Sequence, residues 1–276
     1  MIRYIAAFVL ALALWCQPAA IPTDADMAAY RTFRAWSTTQ PNTGGRAAPD
    51  QPYAAELLDR YAAKLKADGK SPAEIDAALA PLRKFGQKLE HEMWNRNLTA
   101  EQPRFNTDPN AFLVAMTKGR KPGTALDVGM GQGRNAIYLA KQGWDVTGFD
   151  PADRALARAQ ELAAKDGVKI KTVLATSESF DFGKEKWDLI LISYAGGRDV
   201  RKQVIESLKP GGLIIVEGFH HDATKGSSIG GGVVFQTNEL LTLFTGFRVL
   251  QYEDAQAKAD FGPGQTRVVR LLAQKP

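Results

Sequence analysis

The chain has 276 residues, 45% hydrophobic and 24% charged, so it can fill one sizeable core and is neither disordered nor low-complexity. Its single cysteine, Cys16, excludes an internal disulfide framework and any multi-cysteine zinc site. The formal charge of +5 is spread along the chain without a basic block, so nucleic acid is not an expected partner.

The first twenty residues read as a signal peptide or membrane anchor. Arg3 supplies a short positive region, and Tyr4 to Cys16 is an uncharged apolar run. That run suits a signal-peptide core and falls short of the roughly 20 residues needed to span a bilayer. Ala20 is the candidate for the residue before cleavage. With Arg3 before the run and Asp24 and Asp26 after it, the main body is expected outside the cytoplasm, periplasmic or membrane-anchored. Membrane contact is expected only through this segment.

Residues 21–51, rich in Pro, Thr, Gly and Ala, read as a linker. A helical hairpin is expected over 52–95. Its first arm carries Leu57, Leu58, Tyr61 and Leu65 at helical spacing and stops at Gly69. The second opens on a capping box, Ser71-Pro72-Ala73-Glu74, runs from Ile75 to Ala80, and resumes after Pro81 as far as Trp94.

Residues 96–276 are expected to form the main domain. Strands are predicted at 124–129, 145–149, 169–174, 187–193 and 213–219, with helices at 134–142, 152–166 and 198–208. A further helix is expected at 237–245, and last strands at 246–253 and 266–273. Continuous apolar runs such as Leu189-Ile190-Leu191-Ile192 mark strands buried on both faces. The fold class is therefore α/β, with a doubly wound, mostly parallel seven-stranded sheet.

The first strand runs into Asp127-Val-Gly129-Met130-Gly131-Gln-Gly133-Arg134-Asn135, then a helix. A strand, a glycine loop and a helix start bring backbone close to a ligand and favour a negative group. The spacing is Gly-x-Gly-x-Gly, not the Gly-x-Gly-x-x-Gly of dinucleotide enzymes, and no Gly-Lys-Ser/Thr follows, which excludes a phosphate-binding P-loop. Asp150 ends the second strand, where a carboxylate can accept both hydroxyls of a ribose.

Gly131 to Ala140 followed by Gly143-Trp-Asp-Val, together with Ser207-Leu-Lys-Pro-Gly-Gly212, resembles the class I S-adenosylmethionine-dependent methyltransferases, in their tellurite-resistance-type branch. The resemblance covers about residues 94–276. It implies a Rossmann-like methyltransferase fold, S-adenosyl-L-methionine as cofactor and in-line methyl transfer to a small-molecule acceptor. It further implies that the loop residues and Arg134 or the helix amides meet the methionyl carboxylate. Adenine would be held after the third strand, where the family usually has Asp and this chain has Thr176, Ser177 and Glu178. Ser193 and Tyr194 would lie beside the sulfonium, and Trp94 and Asn106 would close over the site.

His220 and His221, just after the fifth strand, and Tyr194 are the acid–base candidates. Nothing near the histidine pair completes a metal ligand set, so no metal is expected. Gly226 to Gly232, with Ser227 and Ser228, reads as a flexible loop fit for a lid. Two other readings compete: a nicotinamide-dependent oxidoreductase, and an exported binding protein that keeps the fold without turnover.

Overall fold

In a computed structural model describing residues 20–37, 39, 53–224, 231–262 and 264–276, the chain opens with a helical layer. It consists of α1 (Asp24–Ser37), α2 (Ala55–Ala67), α3 (Pro72–Phe85) and α4 (Lys88–Leu98). Met27, Tyr30 and Phe33 of α1 pack with Tyr61 and Leu65 of α2, Leu79, Leu82 and Phe85 of α3, and Leu89 of α4. Burying such side chains contributes about 1.5–3 kcal/mol each, which gives the layer its own core. The expected signal segment lies outside the described residues, as does most of the 226–232 loop. Among the described residues no helix is long and apolar enough to cross a membrane.

Two expectations need correction here. Residues 24–37, read as linker, form α1, because Thr23 and Asp26 cap each other reciprocally and the helix buries one apolar face. Pro81 does not divide the second arm either. α3 runs through it, since Leu79, Pro81 and Leu82 are all buried against the other helices, and the break falls at Gly86, whose φ is +52°. Packing there outweighs the single hydrogen bond that proline removes.

A short helix, α5 (Ala111–Thr117), leads into an alternating series. It comprises β1 (Thr124–Val128), α6 (Arg134–Lys141), β2 (Asp145–Asp150), α7 (Asp153–Lys165), β3 (Lys171–Leu174), β4 (Trp187–Ser193), α8 (Arg201–Ser207) and β5 (Leu208–His220). After β5 come β6 (Val234–Phe235), α9 (Glu239–Leu243), β7 (Arg248–Lys258) and β8 (Gln265–Gln274). The sheet order is β3-β2-β1-β4-β5-β8-β7, and the two residues of β6 pair with the end of β5. Strands β1 to β5 are mutually parallel, while β8 runs antiparallel between β5 and β7. The seven expected strands are present, and β6 joins them as an eighth.

Each face of the sheet carries its own core. Phe112, Leu139, Leu156, Leu189 and Ile215 lie on the face covered by α5, α6 and α7. Phe149, Trp187, Ile190, Val204 and Val216 lie on the face of α8 and α9. The order reverses between β1 and β4, and the carboxyl ends of these two strands form the crevice where open α/β sheets receive ligands.

Candidate active site

The glycine loop fills that crevice. Gly129 and Gly133 hold φ of +65° and +78°, in the left-handed region that other residues avoid. A side chain would not fit in either place. A Cβ on Gly129 would come within 2.6 Å of the Ala195 Cβ, and one on Gly133 within 2.9 Å of the Ala159 Cβ. Asp150 ties the loop to the second strand: its Oδ2 accepts from the Gly131 amide at 2.9 Å and its Oδ1 from the Ala152 amide at 2.9 Å. Met130, expected at the cofactor, instead buries its side chain in the core shared by β2 and α7, because the loop turns it inward.

Two buried polar atoms beside the loop have no partner. Asp127 Oδ2 and Ser193 Oγ, at the ends of adjacent β1 and β4, are both orphaned. The alternation of the strands sets both on the face that α5 and α6 cover. Burial pushes the Asp127 carboxyl up to about 7, and the Asp150 charge adds to this while Arg134 and the Ala136 amide oppose it. Native interiors rarely leave such groups unpaired without reason.

On the other side of the crevice Asp260, Tyr194, Glu217 and Arg270 are all engaged. Asp260, between β7 and β8, accepts from Arg134 at 2.6 Å, from Asn110 at 2.7 Å and from Asn106 at 3.1 Å. Its burial would raise its pKa, but the guanidinium of Arg134 and these hydrogen bonds outweigh that and hold the carboxyl below its ordinary value. The Asn106 amide also donates to the Asp260 carbonyl at 2.6 Å, and Phe105 bridges Phe261. The segment before α5 is thereby strapped to the hairpin of the last two strands. Deeper in, the Tyr194 hydroxyl donates to Glu217 at 2.7 Å, and Arg270 donates to Glu217 at 2.9 Å and to Glu253 at 3.0 Å.

Residues 125–212 match the family described as a methyltransferase domain. Over that span the chain carries a methyltransferase domain. Over 158 residues it is 25% identical to a probable S-adenosyl-L-methionine-dependent methyltransferase, TehB of Haemophilus influenzae, covering 55% of each chain. Over 166 residues it is 25% identical to Hemagglutinin 1 of Eikenella corrodens, covering 56% of this chain and 55% of that one. The chain thus spans about half the length of these curated relatives. Among solved structures, TehB from Haemophilus influenzae shares the fold, with a TM-score of 0.52 at 23% identity over 60% of this chain and 62% of that one. The nicotinamide reading finds no support among these relatives.

The methyltransferase domain's cofactor is S-adenosylmethionine, and the residues present suit it. It brings donors, an ammonium and two ribose hydroxyls, to a crevice whose orphaned atoms, Asp127 Oδ2 and Ser193 Oγ, can accept. Asp150 stands at the strand end where a ribose is received. Other expected residues take different places. Arg134 is committed to Asp260 through a partly buried ion pair and to the Asp108 carbonyl at the surface, and is not aimed at the crevice as a free cation. Asn135 is buried and accepts the Asn110 amide at 2.8 Å, so it joins α6 to the segment before α5. Thr176 is buried with its hydroxyl 3.3 Å from Ser179, Ser177 is half-buried, and Glu178 points outward, exposed. Trp94 sits half-buried on α4, its indole N–H 3.4 Å from Glu90.

The acid–base candidates also need correction. Tyr194, held at φ +55°, has its hydroxyl fixed on Glu217, and burial beside that carboxylate drives its pKa far above the ordinary phenol value. It is a wall of the crevice, not a proton carrier. His220 is buried, with Nδ1 accepting the Asp222 amide at 3.1 Å and Nε2 at 2.9 Å from the Thr237 hydroxyl. A ring that accepts at Nδ1 carries its proton on Nε2 when neutral, so His220 pins both ends of the loop after β5. His221 is half exposed at the surface. Sequence reading missed Asp260, Asn110, Glu217 and Arg270, whose partners lie far away in the chain.

Proposed function

We propose that this protein transfers the methyl group of S-adenosylmethionine to a small-molecule acceptor at the carboxyl edge of β1 and β4. The reading is carried by the coincidence of the glycine loop with two buried, unpaired acceptors, Asp127 Oδ2 and Ser193 Oγ, in one crevice. The bound cofactor supplies a sulfonium-activated methyl group. The chain's own part is to bind and orient. Asp150 accepts from the ribose, Asp127 and Ser193 accept from the methionyl end, and the strap from Asn106 to Asp260 excludes water. Such positioning is worth up to about 7–11 kcal/mol of a two-reactant barrier.

Of the three expected acid–base residues, Tyr194 and His220 have their polar atoms occupied and His221 stands at the surface, which favours an acceptor that needs no base. Its nucleophilic atom is one already unprotonated near neutral pH, such as a thiolate or another soft anion. The test is formation of S-adenosylhomocysteine from S-adenosylmethionine across small thiols, amines, phenols and carboxylates. The expected result is turnover with the soft anions, following the acceptor's own ionisation and unmoved in His220→Gln. Turnover confined to neutral amines or alcohols overturns the acceptor class. In this reading residues 1–20 carry the protein out of the cytoplasm or hold it at the membrane. Fractionation of cells making the chain with and without them checks that part.

A further inference from the structure

Helix α7 starts without a cap of its own. Its N-cap position is Ala152, which has no side-chain acceptor for the first-turn amides. The acceptor comes instead from the helical layer. Asn95 of α4 accepts the Arg154 amide through Oδ1 at 2.9 Å, and its Nδ2 donates to Asp153 Oδ1 at 2.7 Å. Asn95 is buried, and the neighbouring turn of α4 carries Glu92, which pairs with Arg154. One turn beyond Asn95, Leu98 lies over the glycine loop: a Cβ on Gly131 would be 3.2 Å from its Cδ2. The capped helix start is the same piece of backbone whose Ala152 amide donates to Asp150, and Asp150 in turn holds the Gly131 amide.

We infer that Asn95 is a positioning residue for the cofactor site. It acts through the start of α7 on Asp150, so the helical layer, which lies outside the matched domain, sets cofactor affinity. The inference rests on the cofactor reading above, in which Asp150 receives the ribose. Its physical basis is that a carboxylate fixed by two amides is held facing one direction. When the helix start frays, the Ala152 amide and that direction are lost together.

The test is calorimetric titration of the full chain with S-adenosylhomocysteine. Asn95→Ala is expected to raise Kd about five- to tenfold. Asn95→Asp keeps the acceptor for the Arg154 amide but sets two carboxylates face to face, and should weaken binding similarly. Combined with Asp153→Asn, which restores the hydrogen bond with donor and acceptor exchanged, it should return Kd to within about twofold of the parent. Leu82→Ala, deep in the helical core, is the control. It should lower the unfolding midpoint and leave Kd unchanged. If Leu82→Ala weakens binding as much as Asn95→Ala does, or if the exchanged pair fails to recover it, the positioning role is overturned. Unchanged Kd in Asn95→Ala, while Asp150→Ala abolishes binding, sinks this inference alone. No loss of binding in Asp150→Ala sinks the cofactor reading beneath it.

Discussion

The two halves of the crevice treat their polar groups in opposite ways. At the ends of β1 and β4 the chain buries Asp127 Oδ2 and Ser193 Oγ and leaves them unpaired. Further along the sheet, Tyr194, Glu217 and Arg270 saturate one another, and Asp260 is saturated by Arg134, Asn110 and Asn106. The unsatisfied half costs stability in the ligand-free protein and is where a ligand recovers the loss. The satisfied half is rigid wall. Residue type alone does not separate the two, since both contain acids and hydroxyls. Partner counting does.

Perturbing the wall should have the largest effect on folding. Arg270→Ala strands the buried carboxylate of Glu217 and is expected to cost about 3–5 kcal/mol, read as a fall in the urea unfolding midpoint at unchanged slope. Next comes the ligand side. Asp150→Ala should weaken S-adenosylhomocysteine binding at least about a hundredfold, or about 2.7 kcal/mol, by calorimetry, with a small change in unfolding midpoint.

Asp127 sharpens the contrast through pH. Its folded pKa of about 7 lies above the ordinary 3.8, so the folded state binds more protons than the unfolded one between those values. The cost of ionising it is absent below about pH 4, grows as pH rises, and is complete above pH 7. Asp127→Asn should therefore stabilise the ligand-free protein by about 4 kcal/mol at pH 8 and not at all at pH 4. The same substitution should weaken cofactor binding. A stability gain independent of pH would show that the carboxyl is ionised at little cost. The smallest effect belongs to His220→Gln, expected to lose about 1 kcal/mol of stability through the loop it pins, with methyl transfer within about threefold of the parent.

How much of this was legible in the sequence follows the same division. The strands could be read because burial on both faces leaves uninterrupted apolar runs, and the loop because left-handed backbone close to a neighbour admits only glycine. Asp150 could be read from its place at a strand end. The Asp260 hub could not, since its partners Asn106 and Arg134 are 154 and 126 residues away and none of them carries a local signal. Arg134 looked free for the same reason. α1 was hidden by the Pro- and Gly-rich residues that follow it, although Thr23, Asp26 and the spacing of Met27, Tyr30 and Phe33 did mark it. Asn95 could not be recognised as a cap because capping is ordinarily sought a few residues from a helix, and here the cap is supplied 59 residues upstream.

The place of β8 has a consequence for how the protein is made. It follows β5 and β7 in the chain, yet it sits between them in the sheet. Until it arrives, β5 presents a long apolar edge to the cell, and β7 lacks the neighbour it pairs with in the finished sheet. The nascent chain therefore passes through a stage in which that border is made but uncovered, and protection by a chaperone matters most until β8 has been made.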